Sequence, residues 1–195
     1  MSKENSFKII NKDLEGLFRK LSVYTDEDLN KKINKNKWSI AENLYHLWLT
    51  EFITINYIKK KTSYPESLVN VSYFSKFKIK LLELIFFTGV KMKAPKITYD
   101  SMPKNIEIKK LKGTWTSSRK SFEELVNALD ESILKKGILR HPIAGRIDIN
   151  MTLQFIKMHF HHHRKIIAKL ESKICLLYTS PSPRDRSISR MPSSA

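Results

Sequence analysis

Phe7, Ile10, Leu14, Leu17, Phe18 and Leu21 recur at spacings of three and four with Lys, Asp, Glu and Arg between them, which predicts an amphipathic helix over about 5–22. A polar stretch, TDEDLNKKINKNK, follows, and then Trp38. Ser39-Ile40-Ala41-Glu42 has the spacing of a capping box, in which serine oxygen and glutamate carboxylate each accept from an otherwise unpaired amide at a helix start. A second helix is expected from there to about Lys61. It carries one stripe of Ile40, Leu44, Leu47, Trp48, Phe52 and Ile55 and another of Leu49, Ile53 and Tyr57, so most of its circumference is apolar and it should lie in the middle of the fold. His46 falls among Glu42, Leu49, Ile53 and Tyr57 and should point inward.

The pattern then loosens. Residues 62–113 read as a long crossover with one helix at about Tyr73–Thr88 and an extended stretch, KMKAPKITYDSMPKN, broken by Pro95 and Pro103. A third major helix is expected over about Thr114–Lys135, capped by Thr116, Ser117 and Ser118, with Phe122, Leu125, Val126, Leu129 and Ile133 inward and Gly137 beyond its end. The loop GILRHPIAGRIDIN leads to a last helix over about Asn150–Ser172. On its wheel Thr152, Phe155, His159, His162, His163, Ile166 and Leu170 share about a third of the circumference, opposite Gln154, Lys157, His161, Arg164, Lys165 and Lys169. Four major helices with a long link after the second make an all-α four-helix bundle.

Composition narrows the picture. A 195-residue chain that is 41% hydrophobic and 28% charged fits one well-buried domain, and 5 Gly and 7 Pro supply few of the turns that a many-stranded fold needs. The N-terminus carries no export signal, so a cytoplasmic location is expected. The most apolar stretch, Leu81–Val90, is too short to span a bilayer and reads as a core helix. The single cysteine, Cys175, precludes an internal disulfide. It opens a Ser-, Pro- and Arg-rich tail, CLLYTSPSPRDRSISRMPSSA, expected to be disordered. Cys175–Asp185 resembles the translation of a transposase sequencing-library adapter, so 175–195 is read as a non-native tail and 1–174 as the helical domain.

The formal charge is +17, or +15 without the three Arg and one Asp of the tail. Such a surplus suits an anionic partner. Yet 28 of the 36 basic residues are Lys, spread among acids, where a phosphate-reading surface favours clustered Arg. A solvated lysine-rich surface is the expectation.

The chemistry lies in the histidines. His159 and His163, four apart, are rotated by only about 40° and separated by about 6 Å along the axis, so both imidazoles can bind one ion. His46 could complete a facial set of three with positions left open for water or substrate. Zinc-protease chemistry of the HExxH type is excluded, because Phe160 stands where that pattern puts its general-base glutamate. His161 should be solvated, His162 packed or supporting, and His141, before Pro142, a loop residue rather than a ligand.

Taken in order, KWSIAENLYHLWLTE (37–51), KMKAPK (91–96), RHPIAGRI (140–147) and HFHHHRKII (159–167) resemble the DinB/YfiT-like superfamily. The resemblance implies a four-helix bundle with a long crossover between the second and third helices. It also implies a divalent metal, zinc, nickel or iron, on one histidine of the second helix and an HxxxH of the last, which map to His46, His159 and His163. Imidazole suits all three metals. The implied activity is metal-dependent, with a coordinated water hydrolysing a small substrate or a low-molecular-weight thiol attacking an electrophile; a non-catalytic metal-binding or stress-response protein is the alternative, and a nucleic-acid-binding protein ranks last. Glu42 is expected to serve the helix cap rather than the reaction. Expected partners are a small-molecule substrate, with a low-molecular-weight thiol as a candidate, and a second copy of the chain; neither a membrane nor a nucleic acid is expected.

Overall fold

The computed structural model describes residues 3–88 and 100–179. Most of these are helical. Four long helices, α1 (Lys3–Leu21), α3 (Ile40–Thr62), α5 (Ile108–Asn127) and α7 (Ile149–Thr179), form the bundle, with α3 packed between α5 and α7. The other elements of the described residues are short helices α2 (Asp26–Asn30) and α6 (Glu131–Leu134), a single 3-10 turn (Pro65–Ser67), helix α4 (Tyr73–Thr88) against α7, and strands β1 (Val69–Asn70), β2 (Lys136–Gly137), β3 (Leu139–His141) and β4 (Gly145–Ile147). The strands pair antiparallel as β1–β2 and β3–β4.

Helix α1 buries all six residues of its predicted stripe. Helix α3 starts where the capping box places it. Ser39 Oγ accepts from the Glu42 amide at 3.1 Å, and Glu42 Oε2 accepts from the Ser39 amide at 2.7 Å. Glu42 also pairs with Lys32 at 2.8 Å, so its carboxylate is committed to the cap. The helix is not buried all round: Phe52 and Ile53 are exposed, while the polar residues Asn43, Glu51 and Thr54 are inside. Glu51 is paired. Its carboxylate accepts from Arg119 Nε and Nη2 at 2.8 and 2.7 Å and from Trp115 Nε1 at 2.7 Å, and Arg119 Nη1 donates to the Ile10 carbonyl. This buried network ties α1, α3 and α5 together.

Two boundaries differ from the pattern. Helix α5 begins at Ile108, not Thr114, and ends at Asn127, with α6 a separate turn. Thr116, Ser117 and Ser118 therefore lie mid-helix rather than at a cap. Neighbouring Thr114 shows how such residues are accommodated: its hydroxyl donates to the Lys110 carbonyl one turn back. Helix α7 runs to Thr179, past Ser172 and into the stretch expected to be non-helical. Residues 175–179 contain no Gly or Pro, and extending a formed helix needs no new nucleus. The KMKAPK motif and residues 180–195 lie outside the described residues.

The segment read as a loop before α7 is a hairpin, β3–β4, turning through Gly145 at φ +76°, where a side chain would be strained. The apolar interior forms two groups. One holds Ile55 and Ile58 of α3 with Leu153, Phe155, Ile156 and Met158 of α7; the other holds Leu44 and Leu47 of α3 with Phe160 and Ile167 of α7. His46 and His159 sit at the level where the two meet.

Candidate metal centre

His46 comes from the second turn of α3 and His159 and His163 from successive turns of α7. All three are buried. Their ring centroids form a near-equilateral triangle: 4.9 Å for His46–His159, 4.7 Å for His46–His163 and 4.8 Å for His159–His163. One ligand atom from each lies within 4.8 Å of the others. The Nε2 atoms of His46 and His159 are 3.1 Å apart. Two nitrogens of a tetrahedral zinc site stand about 3.3 Å apart, so this edge of the triangle already has the length an ion requires.

The third nitrogen is oriented by a relay. Asn43 Nδ2 donates to the Ser39 carbonyl at 2.8 Å, which fixes the amide so that Oδ1 faces His163 Nδ1 at 2.9 Å. An amide oxygen only accepts, so His163 carries its proton on Nδ1 and its lone pair on Nε2. Asn43, Ser39 and His163 are buried, so water does not compete for these bonds. Asn43 was not apparent as a site residue in the sequence. Its only signal is an amide one turn before His46 on a largely apolar helix.

Burial keeps the cluster uncharged. Desolvation, helped by His162, lowers His46 to about 4, and desolvation with His46 and His162 lowers His163 to about 2. His159 is pushed well below the ordinary range by desolvation and by its histidine neighbours. Neutral imidazoles are the form that ligates metal. His46 Nδ1 is buried without a hydrogen-bond partner among the described residues, because the ring turns its other nitrogen to His159. Lone pairs converge here with at most a shared proton between His46 and His159. A divalent cation resolves that electrostatic situation, and the donor set fits one.

Aromatic rings wall the cluster. Trp38 tilts over His46 at 4.9 Å and stacks on His163 at 6.4 Å, Phe155 stacks on His159 at 5.5 Å, and Phe86 of α4 lies 5.9 Å from His159. Trp38 entered the sequence reading as the residue ahead of the cap and as part of the 37–51 motif, not as a wall of the site.

The family model of the DinB superfamily matches residues 7–167. The chain belongs to the DinB superfamily. No curated protein and no solved structure matches it. The matched span of this DinB-superfamily chain contains every residue of the cluster and its Asn43–Ser39 relay.

The other histidines separate cleanly. His161 is exposed and bonds Asp13 of α1 at 2.8 Å. His162 is half-buried beside Phe86, at 5.3 Å, and lines a cavity of about 590 Å³ between α1, α4 and α7 that the three clustered histidines do not line. His141, expected in a loop, is buried at the end of β3. Its Nδ1 accepts from the Ile143 and Ala144 amides at 3.2 and 3.1 Å, closing the turn, and its edge meets Phe155 at 4.6 Å. Desolvation lowers it to about 4.

Proposed function

We propose that this DinB-superfamily chain is a cytoplasmic metal-dependent enzyme that holds a divalent ion, zinc, nickel or iron, on His46, His159 and His163. The observation that carries the reading is the buried triangle of neutral imidazoles whose third member is held by Asn43 with its lone pair free. An ion held there supplies acidity to a coordinated water or thiol, so that a nucleophile exists as the anion at neutral pH.

The protein's own residues do the rest. Three protein ligands leave a position for a small molecule, which distinguishes a catalytic arrangement from a closed structural one. Trp38, Phe86 and Phe155 keep the surroundings apolar, which strengthens charge interactions at the cluster. Cys175 lies twelve residues beyond His163 on the same helix, about 18 Å along the axis, so a sulfur nucleophile would have to arrive as a low-molecular-weight thiol.

Elemental analysis of the full chain, purified without an affinity tag, tests the proposal against the His159→Ala/His163→Ala variant. The expectation is about one ion per wild-type chain and none in the variant. The loaded protein is then offered activated esters and amides, and separately a thiol with an alkylating electrophile. A metal-free, folded wild type overturns the reading; bound metal without either turnover leaves a non-catalytic metal-binding protein.

A further inference from the structure

Helix α4 is apolar on two opposite sides. Ser75, Ile79, Leu82 and Phe86 are buried, Phe86 against the histidines. Tyr73, Phe74, Phe77, Leu81, Leu84 and Phe87 are between 46 and 89% exposed. At about 100° per residue the exposed set covers about 140° of the helix and is centred opposite the buried set. Single exposed apolar side chains are ordinary, but six on one face of one helix make a patch of the kind that covers something.

The border of the patch is cationic. Lys78 flanks one side, with its Nζ 4.4 Å from the centre of the Phe74 ring, and Lys76 flanks the other, with its Nζ 5.3 Å from the centre of the Tyr73 ring, while Lys80 falls just inside that second edge. Lys165 of α7 reaches to 5.4 Å from Phe87. The acid on this helix, Glu83, is engaged by Gln154 at 2.8 Å. A second copy of the chain is a poor occupant. A twofold contact would set these lysine rows against each other on two chains that each carry +17.

We propose that the outer face of α4 docks the protein on an anionic lipid surface, with its rings at the boundary of headgroups and acyl chains and the flanking ammonium groups among the lipid phosphates. Apolar insertion and lysine attraction are the two signals that together give stable peripheral binding. Lysine stems lie along the apolar stripe while their charges reach the phosphates. The association is on the surface: no helix of the described residues is long and apolar enough to cross a membrane. Because Phe86 on the inner face of α4 touches His159, a docked chain holds the histidine cluster about one helix diameter, ~10 Å, from the lipid.

Co-sedimentation of the full chain with vesicles tests this. The vesicles are phosphatidylcholine alone, or phosphatidylcholine with about one third phosphatidylglycerol. The protein is expected to pellet with the anionic vesicles and to stay in solution with the neutral ones. Phe74→Ser/Phe77→Ser, at exposed positions, should lower the partition coefficient by about tenfold or more with the circular dichroism melt unchanged. Lys76→Gln/Lys78→Gln/Lys80→Gln should lower it as well and flatten its dependence on salt. Three results overturn the proposal: no pelleting with anionic vesicles; equal pelleting of the phenylalanine variant, which assigns the binding to net charge; or a wild-type dimer in light scattering that this variant makes monomeric, which gives the face to a second copy.

Discussion

Asn43→Leu removes the acceptor that sets the tautomer of His163 while filling a similar volume. The Ser39 carbonyl keeps its helical bond from the residue 43 amide, at 3.2 Å in the present structure, so the main loss falls on His163 Nδ1–H. That donor is buried, and leaving it unpaired costs about 1–3 kcal/mol of folding stability, or about 4–8 °C of melting temperature for 2 kcal/mol in a chain of this size. The larger consequence is chemical. Without Asn43 the ring is free to place its proton on Nε2, where the lone pair is needed. Residues that hold a ligating histidine in this way contribute about 10–100-fold to metal affinity. Chelator competition with Zn²⁺ should therefore give a dissociation constant raised by that factor in Asn43→Leu. Long-range proton–nitrogen correlation spectra of the metal-free wild type should show His163 protonated on Nδ1. Wild-type affinity in the variant, or a wild-type His163 protonated on Nε2, would refute the relay; the predicted tautomer with no zinc bound by either protein would refute the metal centre and leave the relay standing.

Other expectations follow from the same geometry. His162→Ala should keep one bound ion per chain and an affinity within about threefold of wild type, whereas His46→Ala should lose the ion, as measured by elemental analysis; the reverse would move the ligand set along α7. Arg119→Met leaves the buried Glu51 carboxylate without its counter-charge, with Trp115 Nε1 as its remaining donor, and should cost about 3–5 kcal/mol in urea denaturation; a loss below about 1 kcal/mol would show that the network is not held in solution. The metal-free chain should lose stability in acid. His46 and His141 fall from 6.5 unfolded to about 4 folded, so between those values the unfolded chain binds protons that the folded chain excludes. Stability is then fully present above about pH 6.5 and drops by about 2 kcal/mol per group on reaching pH 5, with His163 adding in the same direction. Denaturation midpoints unchanged between pH 7 and pH 5 would contradict the neutral cluster.

The features legible in the sequence are those that depend on one helix at a time. The stripe Phe7–Leu21 fixes which side of α1 is buried, Ser39 and Glu42 fix where α3 begins, and the spacing of His159 and His163 aims two imidazoles at one point. Features that arise between helices were not legible. Asn43 becomes a site residue only when α7 brings His163 against it, 120 positions away, and Glu51 is acceptable inside only because Arg119 and Trp115 arrive from α5. Hydroxyls mislead for a different reason: serine and threonine serve equally as caps and as side chains bonded to the previous turn, so Thr116–Ser118 marked a false start for α5. Helix α4 carries the point furthest. A stretch of Phe, Leu and Ile reads as a core helix because periodicity records which sides avoid water, not what covers them. Only the packed structure separates the side covered by α7 from the opposite side, where six large apolar residues are left exposed.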